Sequence, residues 1–137
     1  MPILSLRSQP RKIGVTDGRL GACPSSPNCV CSDLSNASHS IEPLRLAIRS
    51  GDLWSIVERT VRDLPGSHIV SIRADYLHAE CRSRFFGFVD DLELHLRASE
   101  GIIAVRSASR LGYSDFGVNR RRIEKLRAML HAQGVVR

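Results

Sequence analysis

The segment 105–126, VRSASRLGYSDFGVNRRRIEKL, gathers the residue types best suited to recognising an anion at a point where a strand turns into a helix. Arg106, Arg110, Arg120 and Arg122 offer planar forks that match carboxylate or phosphate oxygens two at a time. Ser107, Ser109 and Asn119 add neutral donors, and Asp115 adds an acid able to orient them. Gly112 and Gly117 permit positive φ, while Ser114 or Asp115 can hold a turn by accepting nearby amides. Asn119 suits a helix N-cap, which puts Arg120, Arg121 and Arg122 in the first turn. Cations there face the positive end of the helix dipole, at a cost of a few tenths of a kcal/mol to about 1 each. Either internal acids (Asp115, Glu80, or the pair Asp90 and Asp91) or a bound anion at the helix amides answers them.

Alternation supplies a second constellation. Leu92, Leu94 and Leu96 alternate with Asp91, Glu93, His95 and Arg97, so one face of this strand is dry and the other polar. The same register puts Tyr76, His78, Glu80 and Arg82 of the preceding strand, and Arg106 and Arg110 of the following one, on the polar face. This face reads either as a solvated surface laced with weak cross-strand ion pairs or as a shallow polar groove for a ligand.

Cys23, Cys29, Cys31 and Cys81 form the third. No CxxC pair occurs, so no structural metal site is expected, and no cofactor motif calls for one. A Cys23–Cys29 bridge would close a small Pro-containing loop in an oxidising compartment; in a cytoplasm these would be free thiols. Cys81 falls on the dry face, where a thiol is ordinarily packing. The sequence holds no GxSxG, P-loop, HExxH or GxGxxG, and His39, His68, His78, His95 and His131 stand in no catalytic context. Nucleic acid is not the expected partner, because few aromatics interleave with the basic residues.

These groups must be positioned by a fold. At 137 residues, 42% hydrophobic and 25% charged, the chain fits one soluble globular domain, and its net charge of +6 favours anionic partners or surfaces, peripheral membrane contact included. No apolar run reaches transmembrane length and the N-terminus does not read as a secretory signal, so a cytoplasmic location is expected. Residues 1–38, rich in Pro, Gly, Ser and Cys, read as an extended arm. Residues 39–137 read as a single α+β domain: a short strand at 39–46 broken by Pro43, a helix capped by Asp52 and stopped by Pro65-Gly66, strands at 69–73, 76–82, 88–97 and 102–110, and a helix at 119–132. Short connections predict an antiparallel meander of four to five strands in the order β-α-β-β-β-β-α, with both helices on its apolar face.

Three blocks resemble the DUF1499 family: DGRLGACPSSPNCVCSD with HSIEPL, YLHAECRSRFFGFVDDLEL, and IAVRSASRLGYSDFGVNRRRIEKLRAML. They cover nearly the whole chain. The shared positions are Cys23, Pro24, Pro27, Asn28 and Cys29; Tyr76, Glu80, Asp90 and Asp91; and Arg106, Ser107, Ser109, Arg110, Gly112, Asp115, Gly117, Asn119, Arg120 and Arg122. Cys31 departs from the pattern, which usually has serine there. The resemblance implies that the blocks form one domain, widespread in bacteria and found in photosynthetic eukaryotes, and implies no particular reaction.

Together these readings lead to a non-catalytic binding module. Arg106, Arg110, Arg120 and Arg122, with Glu80, Asp115, Asn119, Ser107, Ser109 and Tyr76, would recognise an anionic small molecule, lipid headgroup or acidic protein surface. Two alternatives stand beside it. One is a hydrolase-like enzyme with Glu80 or Asp91 as general base and Arg106 and Arg110 as anion stabilisers. The other is a purely structural arginine–acid network.

Overall fold

The computed structural model describes residues 13–83, 87–112 and 114–137; residues 1–12 of the expected arm, and Tyr113, lie outside them. Its elements are β1 (Val15–Thr16), β2 (Arg19–Leu20), β3 (Cys29–Cys31), β4 (Leu44–Arg45), α1 (Leu53–Arg62), β5 (Ser67–Ile72), β6 (Tyr76–Arg82), β7 (Val89–Arg97), β8 (Ile102–Ser109) and α2 (Val118–Ala132). Strands β5 to β8 form the expected antiparallel meander, in the order β8-β7-β6-β5. β3 and β4 lie one after the other along the outer edge of β8, Cys29–Cys31 opposite 106–108 and Leu44–Arg45 opposite 102–103, which makes the sheet six-stranded. β3 comes from the stretch that reads as an arm, and β1 pairs with β2 in a separate hairpin.

The helices occupy the leucine face. Val57 and Val61 of α1 and Ile123, Leu126 and Leu130 of α2 share one core with Leu77, Leu92, Leu94, Ile103 and Val105. The spacing of these helical residues puts each set on one stripe, so burying the stripe against the sheet stabilises helix and sheet together. Asp52 holds the N-cap position of α1 as expected, but its side chain makes no capping bond and accepts Ser50 Oγ at 2.8 Å instead. After α1 the chain turns at Gly66, φ 73°, where a Cβ would stand 2.3 Å from the carbonyl oxygen of Arg82, so only glycine fits.

The opposite face corrects the expectation of a solvated or grooved polar surface. Residues 13–34 lie across it. Leu20 packs with Cys31, Tyr76 and Ala104, the Gly14 amide reaches Glu93, the Ala22 carbonyl accepts Arg106, and Asp33 pairs with Arg97. Tyr76, His78, Asp91, Glu93, His95 and Arg106 are therefore buried. Alternation identified this face correctly, but alternation says nothing about what covers a face.

A disulfide joins Cys23 to Cys29 and ties the covering segment to the start of β3. Closing so short a loop stabilises by about 2 kcal/mol through loss of freedom in the unfolded chain. Urea unfolding with and without reductant should differ by that amount, and Cys23→Ser should match the reduced protein. Cys31 and Cys81 are buried free thiols; burial pushes Cys81 up to about 11.

Candidate functional site

The ten residues expected to form one site fall into three places. Tyr76, Glu80, Arg106 and Arg110 lie on the arm-covered face of the sheet. Ser107, Ser109, Asn119, Arg122 and Asp115 lie at the helix side, where β8 passes into α2. Arg120 points away from both, donating to the Ser40 carbonyl at 3.0 Å.

On the covered face, Glu93 is the hub. Its Oε1 accepts the Tyr76 hydroxyl at 2.6 Å and the Gly14 amide at 2.8 Å, and its Oε2 accepts Arg106 Nη1 at 3.3 Å. Burial, and then the bond to Glu93, raise the Tyr76 pKa well above the usual phenol range. Among the described residues Arg106 Nε is a buried donor without a partner. Next to this cluster, Asp91 accepts His78 Nε2 at 2.8 Å and Arg110 from two nitrogens at 2.9 and 3.0 Å, while Arg110 also reaches Glu80 at 2.6 Å. Burial pushes Asp91 up, but the His78 and Arg110 bonds outweigh it and hold the carboxyl well below its usual range. The Arg110 bond lowers Glu80 as well. A general base working near neutrality needs its pKa raised, so both shifts run in the wrong direction for that role.

The helix-side group centres on Asn119, which is buried inside the first turn of α2 and is not its cap. Its Oδ1 accepts Ser107 Oγ at 2.7 Å and Arg122 Nη1 at 2.9 Å. Its Nδ2 donates to Asp115 Oδ2 at 2.8 Å, Ser109 Oγ at 2.9 Å and the Asn28 carbonyl at 3.2 Å. Capping falls to Asp115, whose carboxylate accepts the Gly117 and Asn119 amides at 2.8 and 3.1 Å, with Gly117 at φ 80°. An acid there also suits the helix dipole. Burial raises Asp115, but the bonds from Asn119 and these amides bring its pKa down overall. Arg122 pairs with Asp90 at 2.9 Å, and Asn28 Nδ2 reaches back to the Gly112 carbonyl at 2.9 Å. Internal groups thus answer Arg122, and Asn119, Asp115, Arg122 and Asn28 fasten Gly112 and the start of α2 to β7, β8 and the residue before β3.

Asp91, Glu80, Asp33 and Asp115 all titrate below their ordinary values in the folded protein. Groups of this kind add stability above the unfolded carboxylate pKa of about 4 and lose it as pH falls further. Melting temperature should therefore hold between neutrality and about pH 5 and drop steeply below pH 4; a scan of Tm against pH checks this.

What the locked turn presents is apolar and cationic. Phe116 is 85% exposed and sits at φ 53°, a left-handed conformation that bulky side chains avoid. Leu111, Val118 and the 55% exposed Phe88 lie at the same end of the sheet, Phe88 opposite Leu111 in the continued β7–β8 register. Beside them a cleft of about 210 Å³ is lined by Leu64, Pro65, Val118, Arg121, Arg122 and Lys125, with no acid in its wall. A larger cleft of about 410 Å³ around Arg120 differs in kind. Its Arg45 and Arg127 are met by Glu42 and Glu124, which line it too.

The family model for DUF1499, described as a protein of unknown function, matches residues 19–130. The chain belongs to the DUF1499 family. No curated protein and no solved structure matches it. The DUF1499 match takes in the disulfide loop, the sheet strands from β3 to β8 and the locked turn. Among the described residues no helix is long and apolar enough to cross a membrane, and no group of three or more His, Cys, Asp or Glu could hold a metal ion.

Sequence reasoning named Arg121 only as one of three cations in the first turn of the last helix, and did not single out Phe88, Phe116 or Lys125. Their signal was available: Phe116 is an aromatic residue between an acid and a glycine, outside any apolar stripe.

Proposed function

We propose that the protein is a non-catalytic binding module that engages an anionic partner through the end of the sheet where β8 turns into α2. The observation that carries this reading is Phe116: an aromatic residue held almost fully in solvent, in a backbone conformation that costs energy, on a turn whose neighbours are fastened from three strands. Loops positioned by a rigid scaffold are where binding residues concentrate, and strain that packing does not repay points to function. Arg121 and Lys125 supply the charge. The Arg121 guanidinium donates to the Phe116 carbonyl at 2.8 Å, and Lys125 lines a cleft with no acid among its lining residues. In this reading Arg106, Arg110, Arg122, Glu80, Asp115, Asn119, Ser107, Ser109 and Tyr76 are the scaffold, and the arginine–acid network expected as an alternative is the means by which the surface is held. The module requires no cofactor. The Cys23–Cys29 bridge suits an oxidising compartment better than a cytoplasm.

Thermal shift tests the proposal, because a partner that binds only the folded state raises Tm by mass action. Inorganic phosphate, polyglutamate and phosphatidylglycerol vesicles are the probes. At least one should raise Tm, and the paired substitutions Arg121→Glu and Lys125→Glu should abolish the rise while Arg45→Glu, in the Glu-balanced cleft, leaves it. No rise with any probe, or a rise that survives the paired substitutions, overturns the reading.

A further inference from the structure

Within that proposed binding role, and resting on it, we infer that the partner is the surface of an anionic lipid bilayer, with Phe116 and Phe88 entering the interface and Arg121 and Lys125 meeting the headgroups. A soluble anion would be met by cations alone and gains nothing from an exposed phenyl ring. A bilayer rewards both, since apolar side chains leave water at the acyl boundary while basic residues meet the negative surface potential. The apolar and cationic groups are arranged for this. Phe116 and Phe88 stand on neighbouring turns at one end of the sheet, and Arg121, bonded to the Phe116 carbonyl, lies directly behind the tip. Arg82, exposed at the end of β6, donates to the Gly87 carbonyl at 3.0 Å and so flanks Phe88 in the same way. The cleft behind, walled by Leu64, Pro65 and Val118 as well as by Arg121 and Lys125, with Arg122 held by Asp90 at its back, offers a headgroup both charge and an apolar floor. Of the acids near it, Asp63 at the end of α1 and Glu124 are exposed, Glu124 paired with Arg127 on the other side of α2, and the half-buried Asp115 is taken up by the Gly117 and Asn119 amides.

The positive φ at Phe116 sharpens the argument. Asparagine or glycine would satisfy that backbone better, so a phenyl ring there worsens the fold and must be retained by something outside it. Phe116→Asn should accordingly leave Tm unchanged or raise it, which separates loss of binding from loss of fold.

Vesicle flotation of the whole chain decides the matter. The protein should float with vesicles of phosphatidylcholine containing 30% phosphatidylglycerol and stay behind with pure phosphatidylcholine. Phe116→Asn should weaken the partition about tenfold, the effect of one phenyl ring withheld from the interface. Arg121→Glu with Lys125→Glu should weaken it by roughly 20-fold or more, since each basic residue near an anionic surface contributes about fivefold. If phosphate or polyglutamate raises Tm through Arg121 and Lys125 but the vesicles float nothing, the bilayer inference falls and the anion-binding role stands. Flotation that Phe116→Asn leaves intact also overturns it, because the tip would then be idle. If no anion of any kind is bound, both fall together.

Discussion

Glu93→Ala should destabilise the protein by about 3–5 kcal/mol, the usual cost of breaking a buried ion pair by removing one partner. Glu93 is wholly buried, and its carboxylate serves Tyr76, Gly14 and Arg106 at once. Alanine would leave a guanidinium, 4% exposed, without its carboxylate partner, and would release the Gly14 amide that helps lay the covering segment on the sheet. A domain of this size has only about 5–15 kcal/mol in hand, so the variant should be partly unfolded at 37 °C. The loss belongs mostly to the stranded charge, which gives a second measurement. Glu93→Ala combined with Arg106→Met should be less destabilised than Glu93→Ala alone, and urea melts of the two single variants and the pair check the coupling. A cost under about 1 kcal/mol for the single change would mean that the covered face is wetter than its geometry implies.

The second large effect is at Asn119. Aspartate keeps its shape but replaces donors by acceptors, and places a carboxylate where Nδ2 now donates to Asp115 Oδ2 at 2.8 Å and to the Asn28 carbonyl. Two acids then share one buried site, so Asn119→Asp should cost about 3 kcal/mol at pH 7. The new acid's pKa is raised in the fold, and such a group destabilises as pH rises through its folded value and not below its unfolded value near 4. The gap between variant and native protein should consequently narrow on acidification, even as both lose stability from their other carboxylates. Parallel Tm scans from pH 7 to pH 4 measure that gap. A constant gap would place Asn119 outside the Asp115 network.

Much of the fold was legible because its signals are local. The alternation of Leu92, Leu94 and Leu96 with charged neighbours located the sheet's two faces, and the stripe of Ile123, Leu126 and Leu130 located α2. β3 was not legible: CVC is too short to show a period, and its partner lies more than seventy residues away in β8. The burial of the polar face was hidden for a different reason. Residues 13–34 cover it through backbone groups, such as the Gly14 amide and the Ala22 carbonyl, which leave no mark in a side-chain pattern.

At the site, the residue types were read correctly and their jobs were exchanged. Asn119 precedes a helical run as a cap would, yet it lies inside the helix because Asp115, four residues earlier, takes the amides first. Arg106, Arg110 and Arg122 looked like ligand-binding forks, and each is met by an acid from a neighbouring strand: Glu93, Asp91 with Glu80, and Asp90. No local pattern specifies such pairings, since sequence alone does not say which side chains on one face fall within reach. Arg121, read with Arg120 and Arg122 as one cluster, faces outward beside Phe116, as does Lys125 one turn on.

In the proposed binding role this outward end, and not the arginine network behind it, meets the partner. Amide chemical-shift mapping tests it most directly, with the protein titrated against short-chain phosphatidylglycerol below its micelle concentration and against polyglutamate. Saturable shifts confined to Arg82, Phe88, Leu111, Phe116–Val118, Arg121 and Lys125, with Glu93, Arg106, Arg120 and the rest of the Arg45–Arg127 cleft unmoved, are the expected result. Shifts centred on the covered face or on the cleft around Arg120, with Phe116 and Arg121 still, would contradict it.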